Sequence, residues 1–441
     1  MVGHLRPAFL CVDVGSTWTK AALVAADGAV LGTAQHPTTP PEVLDGIAEV
    51  TAAVHGEAAE ALVCSSAGGG LRLAVVGQER LVSAEAAYRV ALSAGAKVVH
   101  VSSGELDGAG IRALREARPD LVLLAGGTDG GDTKVLLHNA RRLAVNRIAA
   151  PVVLAGNSAV RDEALALLLA TRRTVVVTDN VLPDVGELAP GPARAAIRSV
   201  FLDHVIGGKG LSKGPRFRRL VRSVTPAAVL TGVGRLAALL ADRPAGSVLV
   251  VDVGGATTDV YSAVSAPPER EQHAVALPAE RRTVEGDIGM RWSVRGVVAE
   301  AEAERLLADG ELPVLRSAAD YRARHVDFVP ADRAGAAVDG RLAALAAVLA
   351  VRRHLRLIEG RLGPHGAGLL VLSGGVFRHA DKELLTQVTD TLRADPVLRP
   401  VLRQADVVVD ERYVLAPAGL LADAGHPGTA DALLLRLAHQ R

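Results

Sequence analysis

The feature that most constrains this chain is that one stretch of it is stated twice. Leu10-Cys11-Val12-Asp13-Val14-Gly15-Ser16-Thr17 returns as Val250-Val251-Asp252-Val253-Gly254-Gly255-Ala256-Thr257. Each copy reads as a buried strand, then Asp-Val-Gly, then small and hydroxyl residues, then a second strand. Apolar runs at 8–13, 20–25 and 29–33 predict an opening meander, with Asp27-Gly28 as the tight turn between the last two; 247–252 and 259–264 repeat its first hairpin. A second pair, 121–127 (LVLLAGG) and 369–375 (LLVLSGG), gives each half a buried strand ending in two glycines at a similar remove from its aspartate. The expectation is a duplicated α/β unit, with halves at 1–150 and 245–441. Residues 151–244 do not fit the repeat and read as an inserted or enlarged subdomain, with short strands at 152–155 and 174–178 and a helix around 161–169.

A chain of 441 residues exceeds one ordinary core. With 49% apolar but only 2% aromatic residues, Ala, Val and Leu must do the filling, which favours packed α/β layers. A net charge of +1 supplies no global field for nucleic acid or anionic lipid, so neither partner is expected. Cys11 and Cys64 lie in apolar strand runs without CxxC or Cys/His spacing and read as buried thiols of a reducing compartment. The histidines show no ligand spacing such as HxxxH. No run is expected to reach the roughly 18–20 apolar residues of a membrane span, and no signal-type segment opens the sequence, so a cytoplasmic protein without a membrane partner is expected.

A strand ending in Asp-x-Gly-Ser/Thr puts a carboxylate at the strand end and free backbone N–H groups in the turn beyond it. Glycine lets that backbone approach a phosphate, and nearby hydroxyls donate to it. Gly15, Ser16 and Thr17 in the first copy, and Gly254, Gly255, Thr257 and Thr258 in the second, are therefore candidate phosphate contacts, with Lys20 in reach. Asp13 and Asp252 are the candidate catalytic residues and metal anchors, since Mg²⁺ keeps several waters and touches one or two carboxylates. Gly374 and Gly375 suit an adenosine lying flat on backbone. A dinucleotide site is excluded near Gly15, where GxGxxG is absent. Asp129 and Asp132, beside the earlier diglycine, are secondary candidates.

These motifs resemble those of the actin-like ATPase superfamily, built on RNase H-like halves. The resemblance maps its two phosphate motifs to 13–17 and 252–258, its adenosine motif to 373–377, and a following glycine segment to Gly286-Asp287-Ile288-Gly289, and it implies ATP and Mg²⁺ as cofactors. Four further segments are similar to the MutL (GlmL) family associated with cobalamin-dependent glutamate mutase, a family distinct from mismatch-repair MutL. They are 64–71 (CSSAGGGL), 125–131 (AGGTDGG), 180–183 (NVLP) and 286–292 (GDIGMRW), within a resemblance running from about residue 8 to 435. Asp132 stands where the family pattern leads one to expect Asn. The resemblance implies an accessory ATPase that reactivates a cobalamin-dependent mutase client. A small-molecule kinase, a hydantoinase-like ATP-dependent enzyme and an ATP-switched scaffold are the alternatives that share the fold. The basic, glycine-rich run at 207–219 lacks Walker spacing and reads as an exposed, solvated loop, with a partner-docking or phosphate-touching loop as the alternative.

Overall fold

The structure, a computed structural model, describes residues 8–67, 71–205, 211–212, 215–241, 246–265, 279–363 and 365–440. Strand β1 (Ala8–Val14) pairs antiparallel with β2 (Trp18–Ala25), and β3 (Val30–Pro37) completes the meander. The Ala29 N–H donates to Asp27 Oδ1 in the turn before β3, as the Asp-Gly pair leads one to expect. On the other side of β1, β4 (Glu60–Ser65) runs parallel, with Cys64 opposite Asp13.

The chain then leaves this sheet. Strands β5 (Arg72–Gly77), β6 (Lys97–Ser103), β7 (Leu121–Leu124), β8 (Val152–Leu154) and β9 (Val175–Val177) form a separate, wholly parallel sheet in the order β6-β5-β7-β8-β9. The central strands β5, β7 and β8 are apolar on both faces because helices cover both. Leu73, Val75, Leu121 and Leu123 pack against the helix Ser83–Ser93, while Ala74, Val76, Val122 and Leu124 pack under the helices Gly108–Glu116 and Lys134–Val145. After this excursion β10 (Val221–Val224) returns to lie parallel to β4, giving the first sheet the order β10-β4-β1-β2-β3.

The second half repeats that order. Strands β11 (Ser247–Val253), β12 (Thr258–Val264) and β13 (Glu280–Glu285) form a meander, and β14 (Leu369–Ser373) and β15 (Asp406–Val409) add in parallel, as β13-β12-β11-β14-β15. Thus β11 answers β1, β14 answers β4 and β15 answers β10. The fold is α/β, two equivalent halves with an inserted sheet.

The duplication lies elsewhere than the second sequence match suggests. Ser373 faces Asp252 across β14 and β11, and the residue facing Asp13 in the same way is Cys64 on β4. The run 121–127 belongs to the inserted sheet. A short apolar strand ending in glycine recurs in any parallel α/β layer, so only the pairing partner separates the two. For the same reason the expected boundary after residue 150 runs between β7 and β8, which are hydrogen-bonded neighbours. The inserted sheet begins at β5, and β10 with the helix after it returns to the first half.

Each half closes with a helix after its last parallel strand, Thr225–Leu239 after β10 and Leu415–Asp423 after β15. They cross between the sheets within one core that includes Val229, Leu230, Val233, Leu415, Leu420 and Leu421. The crossing is close enough that a Cβ on Gly232 would lie 2.3 Å from the Leu415 carbonyl oxygen, and one on Gly419 would lie 1.8 Å from that of Ala228. The inserted layer also reaches the second half, through Arg282 Nη1 donating to the Ala96 carbonyl at 3.1 Å and through the ion pairs Arg194–Glu280 and Arg198–Asp423.

Two expectations change in detail. The helix Arg333–Leu357 is long and apolar enough by length and composition to cross a membrane, yet 67% of its most apolar window is buried inside the protein, which makes it a core helix of the second half. Of the basic run at 207–219, residues 207–210 and 213–214 lie outside the described residues. The segment Arg216–Leu220 is a short helix anchored by the buried Phe217.

Candidate functional site

The paired strand ends converge on one cavity. It is lined by Asp13, Lys20 and Thr225 from the first half and by Asp252, Ser373, Asp410 and Tyr413 from the second. Asp13 sits one residue before the end of β1, opposite Lys20 on β2. Thr225 opens the helix after β10, and its hydroxyl donates to Asp13 Oδ1 at 2.5 Å; the Cys64 thiol lies 3.7 Å from the same oxygen. Burial pushes the Cys64 thiol well above its ordinary range, with the Asp13 charge adding to it, so the thiol stays protonated and can serve as the weak donor.

Asp252 occupies the same position on β11, facing Asp259 on β12 where the first half has Lys20. Asp259 is turned to Arg282, whose Nε and Nη2 reach its Oδ1 at 2.9 and 2.6 Å, so this carboxylate is spent in a buried ion pair. Burial raises the Asp252 carboxyl above its usual range; Lys20 and the Ser373 hydroxyl work against that shift, and Asp259 and Asp13 add to it. Burial lowers the Lys20 ammonium, but Tyr413, Asp13, Asp252 and Asp410 together hold it above its ordinary value. Lys20 is therefore the cation that balances three carboxyls.

Asp410 was not a candidate from sequence. It follows β15, is buried, and accepts the N–H groups of Val414 at 2.8 Å and Leu415 at 3.4 Å at the start of the next helix. Burial pushes its carboxyl up to about 6, with Asp252 adding to the effect. A signal was present, an apolar run VVV closing on Asp as at Asp13 and Asp252, but no glycine follows to mark it.

Beyond the aspartates the two turns share one geometry. Gly15 N–H donates to the Trp18 carbonyl at 3.0 Å, and Gly254 N–H to that of Thr257 at 2.9 Å. Ser16 is exposed, and Thr17 and Thr257 are half-buried. The turns face each other, since a Cβ on Gly255 would come 3.3 Å from Thr17 Oγ1. Met290 N–H donates to the Gly254 carbonyl, and Arg291 and Trp292 N–H groups to that of Gly255, so the segment holding Gly286 and Gly289 is docked on the second turn. At the end of β14, Gly374 adopts φ 117°, and a Cβ added there would lie 2.3 Å from the Val253 carbonyl oxygen, while Gly375 opens onto free space. Only glycine fits the first of these.

Some candidates fall outside this constellation. Thr258 is fully buried, its hydroxyl without a hydrogen-bond partner. Asp287 is exposed and lies 3.4 Å from Arg353. Asp129 and Asp132 belong to the loop after β7 in the inserted sheet. Asp129 Oδ1 accepts from Ser158 N–H at 2.8 Å and from Asn180 Nδ2 at 3.0 Å, and Asp132 Oδ1 accepts from Lys134 N–H. Both are loop-forming residues, and neither lines the cavity.

The cavity measures about 40 Å³. Among the described residues no group of three or more metal-binding side chains converges. Hard carboxylate oxygens contributed singly by two strand ends suit an ion that takes the rest of its shell from phosphate and water, and Mg²⁺ is such an ion.

Two halves of one strand order, each with a strand-end aspartate lining one cavity and a glycine turn just beyond it, define the actin-like ATPase class of fold. Within that class the chain belongs to the MutL protein family, whose model matches residues 9–437. A curated relative, Protein MutL of Clostridium tetanomorphum, is 33% identical over 447 residues, covering 94% of this chain and 96% of that one. Among solved structures, nucleotide-free acetone carboxylase aligns over 95% of this chain and 70% of its own, with a TM-score of 0.39 and 14% identity. The ROK hexokinase of Thermus thermophilus aligns over 98% and 99%, with a TM-score of 0.27 and 13% identity. Likeness at that distance assigns no residue a role.

Proposed function

We propose that this protein binds Mg-ATP in the cleft between its halves and hydrolyses it to drive an accessory, reactivating cycle on a cobalamin-dependent carbon-skeleton mutase or aminomutase. The observation that carries the nucleotide reading is the convergence of Asp13 and Asp252, equivalent by topology, on one cavity with Lys20 between them. In this reading Asp13 and Asp252 hold Mg²⁺ through its waters, and the metal supplies charge neutralisation at the phosphates. Lys20 meets the phosphate chain, the turns at Gly15 and Gly254 offer backbone N–H groups and hydroxyls, and Gly374 and Gly375 form the floor for adenosine.

Because ligand bridges both halves, the presence of the terminal phosphate sets how far they close, and a client gripped by both halves would feel that change. Membership of the MutL family, through its association with glutamate mutase, supports the choice of client.

Calorimetric titration with Mg-ADP and a non-hydrolysable Mg-ATP analogue tests the nucleotide reading. Micromolar binding is expected, lost in Asp13→Ala and Asp252→Ala with the fold retained. Undiminished binding or turnover in either folded variant would overturn it. The client reading predicts that ATP restores turnover to a mutase stalled with inactive cobalamin, and failure across such mutases would overturn that part alone.

A further inference from the structure

Lys20 is held from the opposite half. Its Nζ lies 4.3 Å from the centroid of the Tyr413 ring, and Arg378 Cζ lies 4.1 Å from the same centroid. Lys20 belongs to β2 of the first half. Tyr413 stands between β15 and the closing helix of the second, and Arg378 ends the short helix Gly375–Arg378 that follows the diglycine.

Polar contacts run between the same halves. The Tyr413 hydroxyl donates to Gln35 Oε1 at 3.4 Å, and Arg378 Nη2 donates to Thr33 Oγ1 at 3.5 Å, both on β3; Gln35 is the register partner of Lys20. Both distances are long for hydrogen bonds, so the ring faces carry more of the attachment than the polar atoms. Arg378 Nη1 is buried with no hydrogen-bond partner, which leaves the ring as its principal contact. Tyr413 adopts φ 53°, a left-handed conformation that is costly for a bulky side chain. The segment is kept there by Asp410, which accepts the N–H groups of Val414 and Leu415 immediately after it.

We propose that Tyr413 is the positioning residue for Lys20, a ring presented by one half that fixes the phosphate-binding ammonium of the other only when the halves are closed. This rests on the nucleotide reading above. A cation over an aromatic ring is attracted electrostatically, the more so when desolvated, which selects one placement of a flexible four-carbon stem. When the halves part, β2 moves away from the ring and the ammonium is released. When they close it is restored beside Asp13 and Asp252, where a phosphate chain would meet it. Tyr413 therefore acts on affinity for the phosphates and acts through Lys20.

The test is calorimetric titration of the full chain with a non-hydrolysable Mg-ATP analogue and, separately, with adenosine. Tyr413→Leu is expected to weaken the triphosphate about tenfold and adenosine by less than about twofold. Tyr413→Phe, which keeps the ring, is expected to recover most of the loss. In a Lys20→Met background the leucine change should cost nothing further. Equal losses for leucine and phenylalanine, parallel losses for triphosphate and adenosine, or full additivity with Lys20→Met would each overturn the proposal. Should the leucine variant fail to fold, Tyr413→Met, closer in volume and without a ring, gives the same comparison. Absence of nucleotide binding in the wild type would overturn the nucleotide reading itself, whereas normal wild-type binding with an unaffected leucine variant overturns only the role of Tyr413.

Discussion

The Thr225 hydroxyl donates to Asp13 Oδ1 across 2.5 Å, and at the matching place in the second half stands Asp410, beside Asp252. The halves are equal in topology and unequal in charge: one strand-end aspartate is steadied by a neutral donor, the other is crowded by a second acid. Thr225→Val keeps the shape and removes the donor, leaving Asp13 Oδ1 with the thiol at 3.7 Å. A hydrogen bond to a charged group is worth about 1.5–3 kcal/mol. A loss of stability in that range is expected in urea unfolding, together with a higher magnesium requirement for nucleotide binding. Unchanged values of both would show that this contact does not organise the site.

The buried Asp410 predicts a pH signature. Its carboxyl is raised from 3.8 to about 6 in the folded protein. Between those values the folded state binds the proton more tightly than the unfolded state, so this residue's contribution to stability falls as pH rises through the window and is constant above it. A change of that size corresponds to about 3 kcal/mol. Asp410→Asn keeps an acceptor for Val414 N–H and cannot ionise. Urea unfolding from about pH 4 to pH 7 should show the asparagine variant gaining on the wild type by up to that amount as pH rises. Parallel curves would mean that Asp410 is not protonated in this range.

Much of this site is legible in the sequence because its chemistry is local. Asp13, Gly15 and Lys20 sit on one hairpin, and the apolar runs around them give the strands, whose register then sets Asp13 opposite Lys20. What the sequence hides is set by contacts made across long separations. Thr225 and Asp410 reach the cleft only because β10 and β15 add at the far edges of their sheets. Cys64 takes the place of Ser373 through its register with Asp13, which no local pattern announces. The run at 121–127 misleads for the converse reason, having the wording of β14 and a different neighbour. Thr258 illustrates a third limit: a hydroxyl next to a phosphate turn can point into the core, and strand parity decides which.

The helix crossing should be intolerant of a single methyl. Gly419 lies on the helix Leu415–Asp423, where a Cβ would stand 1.8 Å from the Ala228 carbonyl oxygen, a backbone atom that cannot turn aside. Gly419→Ala must push the two helices apart, and a loss of about 1–3 kcal/mol or more is expected in chemical unfolding. Gly428, in the first turn of the helix Pro427–Ala438, has nothing within 4 Å of such a Cβ. Gly428→Ala should be neutral or stabilising by up to about 1 kcal/mol. Similar effects at both glycines would show that the crossing is loose.

The protein carries its own reporters of cleft movement. It has two tryptophans, and each rides on one of the facing turns: the Trp18 carbonyl accepts the Gly15 N–H, and the Trp292 N–H donates to the Gly255 carbonyl. The two residues are 37% and 62% exposed, so a change in how the turns meet alters the solvent around both indoles. In the nucleotide reading, a ligand that bridges both halves changes how the facing turns meet. Single-tryptophan variants, Trp292→Phe reporting the first turn and Trp18→Phe the second, should each show an emission change on adding Mg-ATP. Half-saturation should agree between them, because one ligand moves both turns, and the change should vanish in Asp13→Ala. A response from one tryptophan alone would confine the movement to one hairpin, and silence from both despite calorimetric binding would mean that nucleotide enters without separating the turns.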